Sequence, residues 1–224
     1  MPLPPRTAAL IAGATLTLAA AAVPAAAHPA AAHSAPAAPP PLLRQAVADL
    51  TVAEEARAGY KRTGFRHWTD SDADGCSARN EVLISEAIDK PQEGDRCQLT
   101  GGAWYSYYDD VVVNEASKLD VDHLVPLAEA WDSGASGWDA AKREQYANYL
   151  DRPEHLVAVT ARSNRQKADK DPAQWLPIEQ VRCRYVAEWV AVKRHWQLSV
   201  DTAEKAKLVE IAQGCPNAPL AQPS

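Results

Sequence analysis

Phenylalanine and methionine occur once each in the 224 residues, so the core has to be built from other side chains. The other aromatics are plentiful: Trp104, Tyr105, Tyr107 and Tyr108 form one run, while Trp131, Trp138, Trp175, Trp189 and Trp196 are scattered. Most are expected in the core or against disulfides rather than on a base-stacking platform. No CxxC occurs and the cysteines are widely spread, which argues against a zinc-thiolate centre. HExxH is missing, which leaves a metallopeptidase without support. There is no internal repeat, and no zinc finger or helix-turn-helix that would read a base sequence. Positive charge is also scarce: 23 Lys and Arg face 29 Asp and Glu, a net charge of −6. Such a chain does not coat nucleic acid through its overall field, although an enzyme touching a few phosphates needs only local positive charge.

Residues 1–27 read as a secretory leader: Arg6 is the one early cation, an apolar stretch runs from Ala8 to Val23, and Ala25, Ala26 and Ala27 offer small residues for cleavage. The apolar run is short and mostly alanine, which argues against a membrane anchor. Residues 28–41 are rich in Ala and Pro with almost no charge, the composition of an extended linker. Residues 42–224 then make one domain of about 180 residues, long enough for a real core. Four cysteines suit an oxidising compartment. Of three pairings, Cys76–Cys97 and Cys183–Cys215 each close a modest loop and are expected. The mature chain is expected to be secreted, extracellular, monomeric and free of the membrane.

Apolar spacing predicts a helix over 42–60, ended by Gly59, and another over 81–88. Residues 97–108 read as a hairpin, with Asp109-Asp110 as its exit turn and 111–113 as a further strand. Short strands follow at 121–125 and 155–160, separated by an insertion with helices at 127–131 and 140–149. A polar helix opens at Ser163-Asn164. The pattern Val186, Trp189, Val190, Lys193 marks an amphipathic helix over 183–196, and a last helix runs over 201–212. The class is α+β, mostly helical around a strand–loop–strand–helix centre.

In that centre, DVDHLVP (120–126) places Asp122 and His123 side by side in an apolar run. Burying such a pair is costly unless something holds it, and a metal ion can. Asn164 opens the polar helix. Asp and Asn offer hard oxygens for a divalent ion such as Mg²⁺, and an adjacent imidazole can take a proton from water, which together suit phosphodiester hydrolysis.

DVDHLVP followed by HLVAVTARSNRQKADKDPAQWLP resembles the ββα-metal core of HNH endonucleases. The wider pattern, with GFRHW, EVLISEA and DHLVPLAEAW, is most similar to a secreted bacterial branch related to the carboxy-terminal nuclease domain of GmrSD restriction enzymes, from about Tyr60 to Cys215. The resemblance implies an HNH core inside a mostly helical, disulfide-stapled single domain. It makes Asp122 a metal ligand, His123 the general base and Asn164 a ligand from the helix. The middle position of the motif, usually Asn, is His155 here. It could hold the base-carrying loop through a backbone carbonyl, or approach the metal or phosphate. The implied cofactor is Mg²⁺, with Mn²⁺ or Zn²⁺ as alternatives, and the implied products carry 5′-phosphate.

Around Asn164 the cations Arg162, Arg165, Lys167 and Lys170 outnumber Asp169 and Asp171, so Arg165 and Lys167 are candidate phosphate contacts. The plainer alternative is a solvated helix face. His67 and His195 lack such company and are expected to be partly exposed or satisfied in the core. Residues 70–81, DSDADGCSARNE, match the calcium-loop spacing, with Asp70, Asp72, Asp74 and Glu81 as ligands for a structural Ca²⁺. An acidic turn pinned by a disulfide is the alternative, since Ser77 replaces the usual apolar residue and no partner loop exists. The resulting expectation is a secreted metal-dependent endonuclease of low sequence specificity, acting on DNA and as an alternative on RNA. A non-catalytic calcium-binding module is the rival.

Overall fold

The computed structural model describes residues 1, 2 and 39–220. The expected leader and most of the linker, apart from residues 1, 2 and 39–41, lie outside the described residues. The linker's last residue is docked: Leu220 donates its backbone N–H to the Pro41 carbonyl, and Leu42 bridges to Pro219. No helix among the described residues is long and apolar enough to cross a membrane.

Helix α1 spans Leu43–Ala48 and buries Leu43, Ala46 and Val47. The expected helix over 42–60 therefore stops early. Beyond Asp49 the backbone finds partners in distant segments: Val200 donates to the Thr51 carbonyl, Ala53 donates to the Val200 carbonyl, and Ala56 donates to the Asp132 carbonyl. Tertiary pairing overrides the helix propensity of an Ala-, Leu- and Glu-rich segment. Arg62–Gly64 forms a single 3₁₀ turn. Helix α2, Ala78–Glu86, starts at Ser77, whose Oγ accepts the Asn80 N–H.

Two small antiparallel ladders follow. Strand β1, Gln92–Glu93, pairs with β2, Leu99–Thr100. Strand β3, Trp104–Ser106, pairs with β4, Val111–Val113. The hairpin expected over 97–108 is thus shifted: Trp104–Ser106 is its first strand, 111–113 its second, and Asp109-Asp110 lies inside its turn, with Asp110 in the left-handed region at φ 56°.

The central pair is β5, Leu119–His123, and β6, Leu156–Thr160, antiparallel with Val121 opposite Ala158, Asp122 opposite Val157 and His123 opposite Leu156. A two-stranded ribbon is marginal alone, so both faces must be covered. Leu119, Val121, Leu156 and Ala158 pack with Val82, Leu83 and Trp104 on one side. Val157 and Val159 join the main core on the other, with Tyr108, Tyr185 and Trp189. Between the strands lie α3, Leu127–Asp132, and α4, Ala140–Ala147.

Helix α5, Ala161–Lys167, follows β6 directly and packs against both β5 and β6. Its start is built by Asp109, which accepts from the hydroxyls of Ser106, Thr160 and Ser163, while Thr160 Oγ1 accepts the Ser163 N–H. Helices α6, Arg182–Trp196, and α7, Thr202–Gly214, complete the frame. Lys193 of α6 is fully buried, with its ammonium 2.5 Å from Glu129 of α3 and 3.2 Å from Glu204 of α7. The disulfides are Cys76–Cys97 and Cys183–Cys215, the expected pairing. The architecture is α+β, small antiparallel ladders within a mainly helical frame.

Candidate active site

Asp122, His123 and Asn164 line one cleft of about 320 Å³, together with Val121, Arg165, Ala168 and Asp169. Among the described residues β5 pairs with no strand but β6, and its three consecutive residues Val121, Asp122 and His123 line the cleft. Helix α5 supplies the facing wall.

Asp122 is buried, and protein donors take much of its carboxylate. The Tyr108 hydroxyl donates to Oδ2 at 2.7 Å, and the Lys167 ammonium sits 3.1 Å from Oδ1 and 2.8 Å from Oδ2. Lys167 also donates to the His123 carbonyl at 3.1 Å. Burial pushes the Asp122 carboxyl up, offset by Lys167 and Tyr108, and pushes the Lys167 ammonium down, offset by Asp122. Lys167 is fully buried. It points inward and grips the Asp-His dipeptide rather than facing the cleft as an exposed phosphate contact would.

His123 is buried apart from its edge on the cleft. Its Nε2 lies 2.9 Å from the Ala147 carbonyl. A carbonyl can only accept, so Nε2 carries the proton and Nδ1 is the basic nitrogen in the neutral ring. Burial holds the imidazole well below its ordinary pKa, countered in part by that hydrogen bond. At neutral pH the ring is uncharged, the state in which it can accept a proton.

His155 stands behind this arrangement. It is buried, and its Nε2 donates to the Tyr146 carbonyl at 2.6 Å. Burial pushes its pKa down to about 4. Its Nδ1 has no hydrogen-bond partner among the described residues. The ring packs against Tyr146, Tyr149 and Trp196, and it does not line the cleft. Consecutive carbonyls at the end of α4 therefore hold the two histidines, Tyr146 for His155 and Ala147 for His123.

Asn164 donates its Nδ2 to Asp120 Oδ2 at 3.1 Å. Arg165 is exposed, and its Nε lies 3.6 Å from the same oxygen. Other residues reach the site without having been singled out in the sequence. Arg62 lines the cleft. The Trp68 ring lies 5.1 Å from that of His123, tilted by 32°. His67, expected to stand apart, has its ring 6.5 Å from His123. The stretch GFRHW carried that signal only as part of a wider pattern.

The candidate ligand groups at the cleft are the carboxylates of Asp122 and Asp169, the Asn164 amide and the neutral His123 imidazole. Hard oxygens of this kind fit Mg²⁺ or Mn²⁺, and no thiolate is near, since the cysteines are all in disulfides. Elsewhere, carboxylate oxygens of Asp70, Asp72 and Asp74 lie within 4.8 Å of one another on the surface. Glu81 is close enough that burial and these three charges raise its pKa. Gly75 at φ +96° makes the turn, as the loop spacing requires.

Residues 78–211 match the family described as GmrSD restriction endonucleases, C-terminal domain, and the chain belongs to that family. The matched span holds β5, β6 and α5 with every residue of the cleft except Arg62. The chain is also 37% identical over 171 residues to an uncharacterized secreted protein of Arthroderma benhamiae, covering 75% of this chain and 82% of that one. That relative is fungal, whereas the resemblance read from the motifs pointed to a bacterial branch. No solved structure matches.

Proposed function

We propose that the protein is a secreted endonuclease of the HNH type. It hydrolyses phosphodiester bonds of DNA, and of RNA as a further substrate, with low sequence specificity. One observation carries this reading: His123, fixed by the Ala147 carbonyl so that Nδ1 is its basic nitrogen, shares a cleft with Asp122 and Asn164. The succession β5, β6, α5 supports a ββα core, and family membership supports nuclease chemistry. Two disulfides and a relative described as secreted support export.

In this mechanism Nδ1 of His123 takes the proton of the attacking water. His155 sets the end of α4 through Tyr146 and so aims His123, acting from behind the cleft. Asp122 and Asn164 would hold the divalent ion, Mg²⁺ first and Mn²⁺ or Zn²⁺ as alternatives. Such an ion supplies a Lewis acid for the charge developing on phosphate and leaving oxygen. Arg165, exposed, and Arg62, which also lines the cleft, receive the phosphate backbone. Lys167 is reassigned from phosphate to the support of Asp122 and the His123 carbonyl. The reading also gives residues 70–81 a structural Ca²⁺, held by the loop before α2 and by Glu81 in its first turn.

The test is plasmid cleavage by the disulfide-bonded protein with Mg²⁺, Mn²⁺ or Zn²⁺, against EDTA and against His123→Ala. Cleavage that needs both the metal and His123 is expected. An inactive wild type with all three ions would favour a non-catalytic calcium-binding module instead.

A further inference from the structure

We infer that Asp120 is a positioning residue that fixes which end of the Asn164 amide faces the cleft. This rests on the assignment of Asn164 as a metal ligand. An Asn side chain can ligate a cation only through Oδ1, because its NH₂ end is a donor. Rotation by half a turn exchanges the two ends, so an unrestrained Asn presents the wrong end in much of its population. Here Nδ2 donates to Asp120 Oδ2 at 3.1 Å, which commits the NH₂ end to β5 and leaves Oδ1 as the free end.

The strand makes this possible. Asp120 and Asp122 are two residues apart on β5, so both project from the face against which α5 packs. Asp122 is buried and taken up by Lys167 and Tyr108, whereas Asp120 is about a third exposed and carries no buried cation. Its remaining neighbour is Arg165, one residue beyond Asn164, with Nε 3.6 Å away. The two carboxylates of DVDH therefore have different surroundings: Asp122 lies under Lys167 and Tyr108, and Asp120 is left to orient the Asn164 amide.

Mn²⁺ binding is measured by calorimetry on the full disulfide-bonded chain, without substrate, alongside thermal melting. The equivalent belonging to the cleft is the one weakened by Asn164→Ala. Asp120→Ala is expected to weaken that equivalent about 10-fold, the usual effect of losing a hydrogen-bond partner behind a ligand. Asp120→Asn keeps an acceptor oxygen and is expected to stay within about threefold of wild type, the cost of one charge at a solvated site. Asp120→Val suits a strand, lacks the acceptor and serves if Asp120→Ala folds poorly. Equal losses in Asp120→Asn and Asp120→Ala would mean that Asp120 acts by charge or as a direct ligand, and would overturn the inference. So would unchanged affinity in Asp120→Ala while Asn164→Ala binds weakly. Unchanged affinity in Asn164→Ala would remove the ligand assignment itself, a separate and distinguishable failure.

Discussion

His155 donates to the Tyr146 carbonyl at 2.6 Å, and the next carbonyl in the chain, that of Ala147, accepts from His123. The two histidines are thereby held by adjacent peptides at the end of α4. His155→Ala should lower kcat by about 10- to 100-fold with little change in KM, because the substrate surface is untouched. His155→Gln, whose amide nitrogen reaches nearly as far as Nε2, should recover part of that loss. Steady-state cleavage rates with melting curves check this. A folded His155→Ala enzyme with the full rate would show that the loop does not need His155.

Lys167 and Arg165 lie two residues apart on α5 and should fail in different ways. Lys167→Met leaves the buried Asp122 carboxylate without its cation, a loss on the order of 3–5 kcal/mol in folding stability. Arg165 is exposed, with only a long contact to Asp120, so Arg165→Ala should leave the melting temperature nearly unchanged. It should instead raise KM for DNA and flatten the dependence of binding on salt. Denaturant melts and salt-series binding separate the two. A stable Lys167→Met protein with weakened DNA binding would return Lys167 to the phosphate.

Much of this site could be read from the letters because its chemistry is local. Asp122 beside His123 in an apolar strand, and Asn164 at a helix start, are visible in a short window. The pairing of β5 with β6 follows from the apolar runs, whereas α5 begins at Ala161, capped by Thr160, and not at Ser163-Asn164 as the letters suggested. The burial of Lys167 could not be read, since a lysine in NRQKADKDP looks like any solvated cation until Asp122 and Tyr108 surround it. Lys193 is a related case: it falls in the apolar spacing of α6, but its partners Glu129 and Glu204 come from other helices. Trp68 and Arg62 arrive from an irregular segment with no periodicity to betray where it folds. The helix expected over 42–60 failed for a related reason, because Val200 competes for its backbone.

The surface carboxylates of Asp70, Asp72 and Asp74 should respond to Ca²⁺. For a site with Kd near 1 mM, usual in extracellular modules, 10 mM Ca²⁺ should stabilise the fold by about 1.4 kcal/mol. The rise in melting temperature should vanish in Asp72→Asn, which removes one converging charge and leaves the Asp70 and Asp74 bonds to the Gly75 and Cys76 N–H groups intact. An equal rise in wild type and Asp72→Asn would leave residues 70–81 as an acidic turn held by Cys76–Cys97.

Glu86 gives the pH dependence of stability a testable component. It sits at the end of α2, half-buried, with Oε2 accepting the Ala158 N–H at 2.8 Å on the outer edge of β6. Burial is the main cause that pushes its pKa up to about 7, against the lowering effect of that hydrogen bond. A carboxyl whose folded pKa exceeds its unfolded value keeps its proton in the native state when the unfolded chain has lost it. Its contribution is present below about pH 4.5 and is lost as pH rises through about 7. The loss is on the order of 3 kcal/mol. Glu86→Gln still accepts from Ala158 and never ionises. The variant should match wild type near pH 4.5 and melt higher at pH 8, with a flatter profile between. Parallel pH profiles for the two proteins would mean that Glu86 ionises in the folded state as easily as in the unfolded chain.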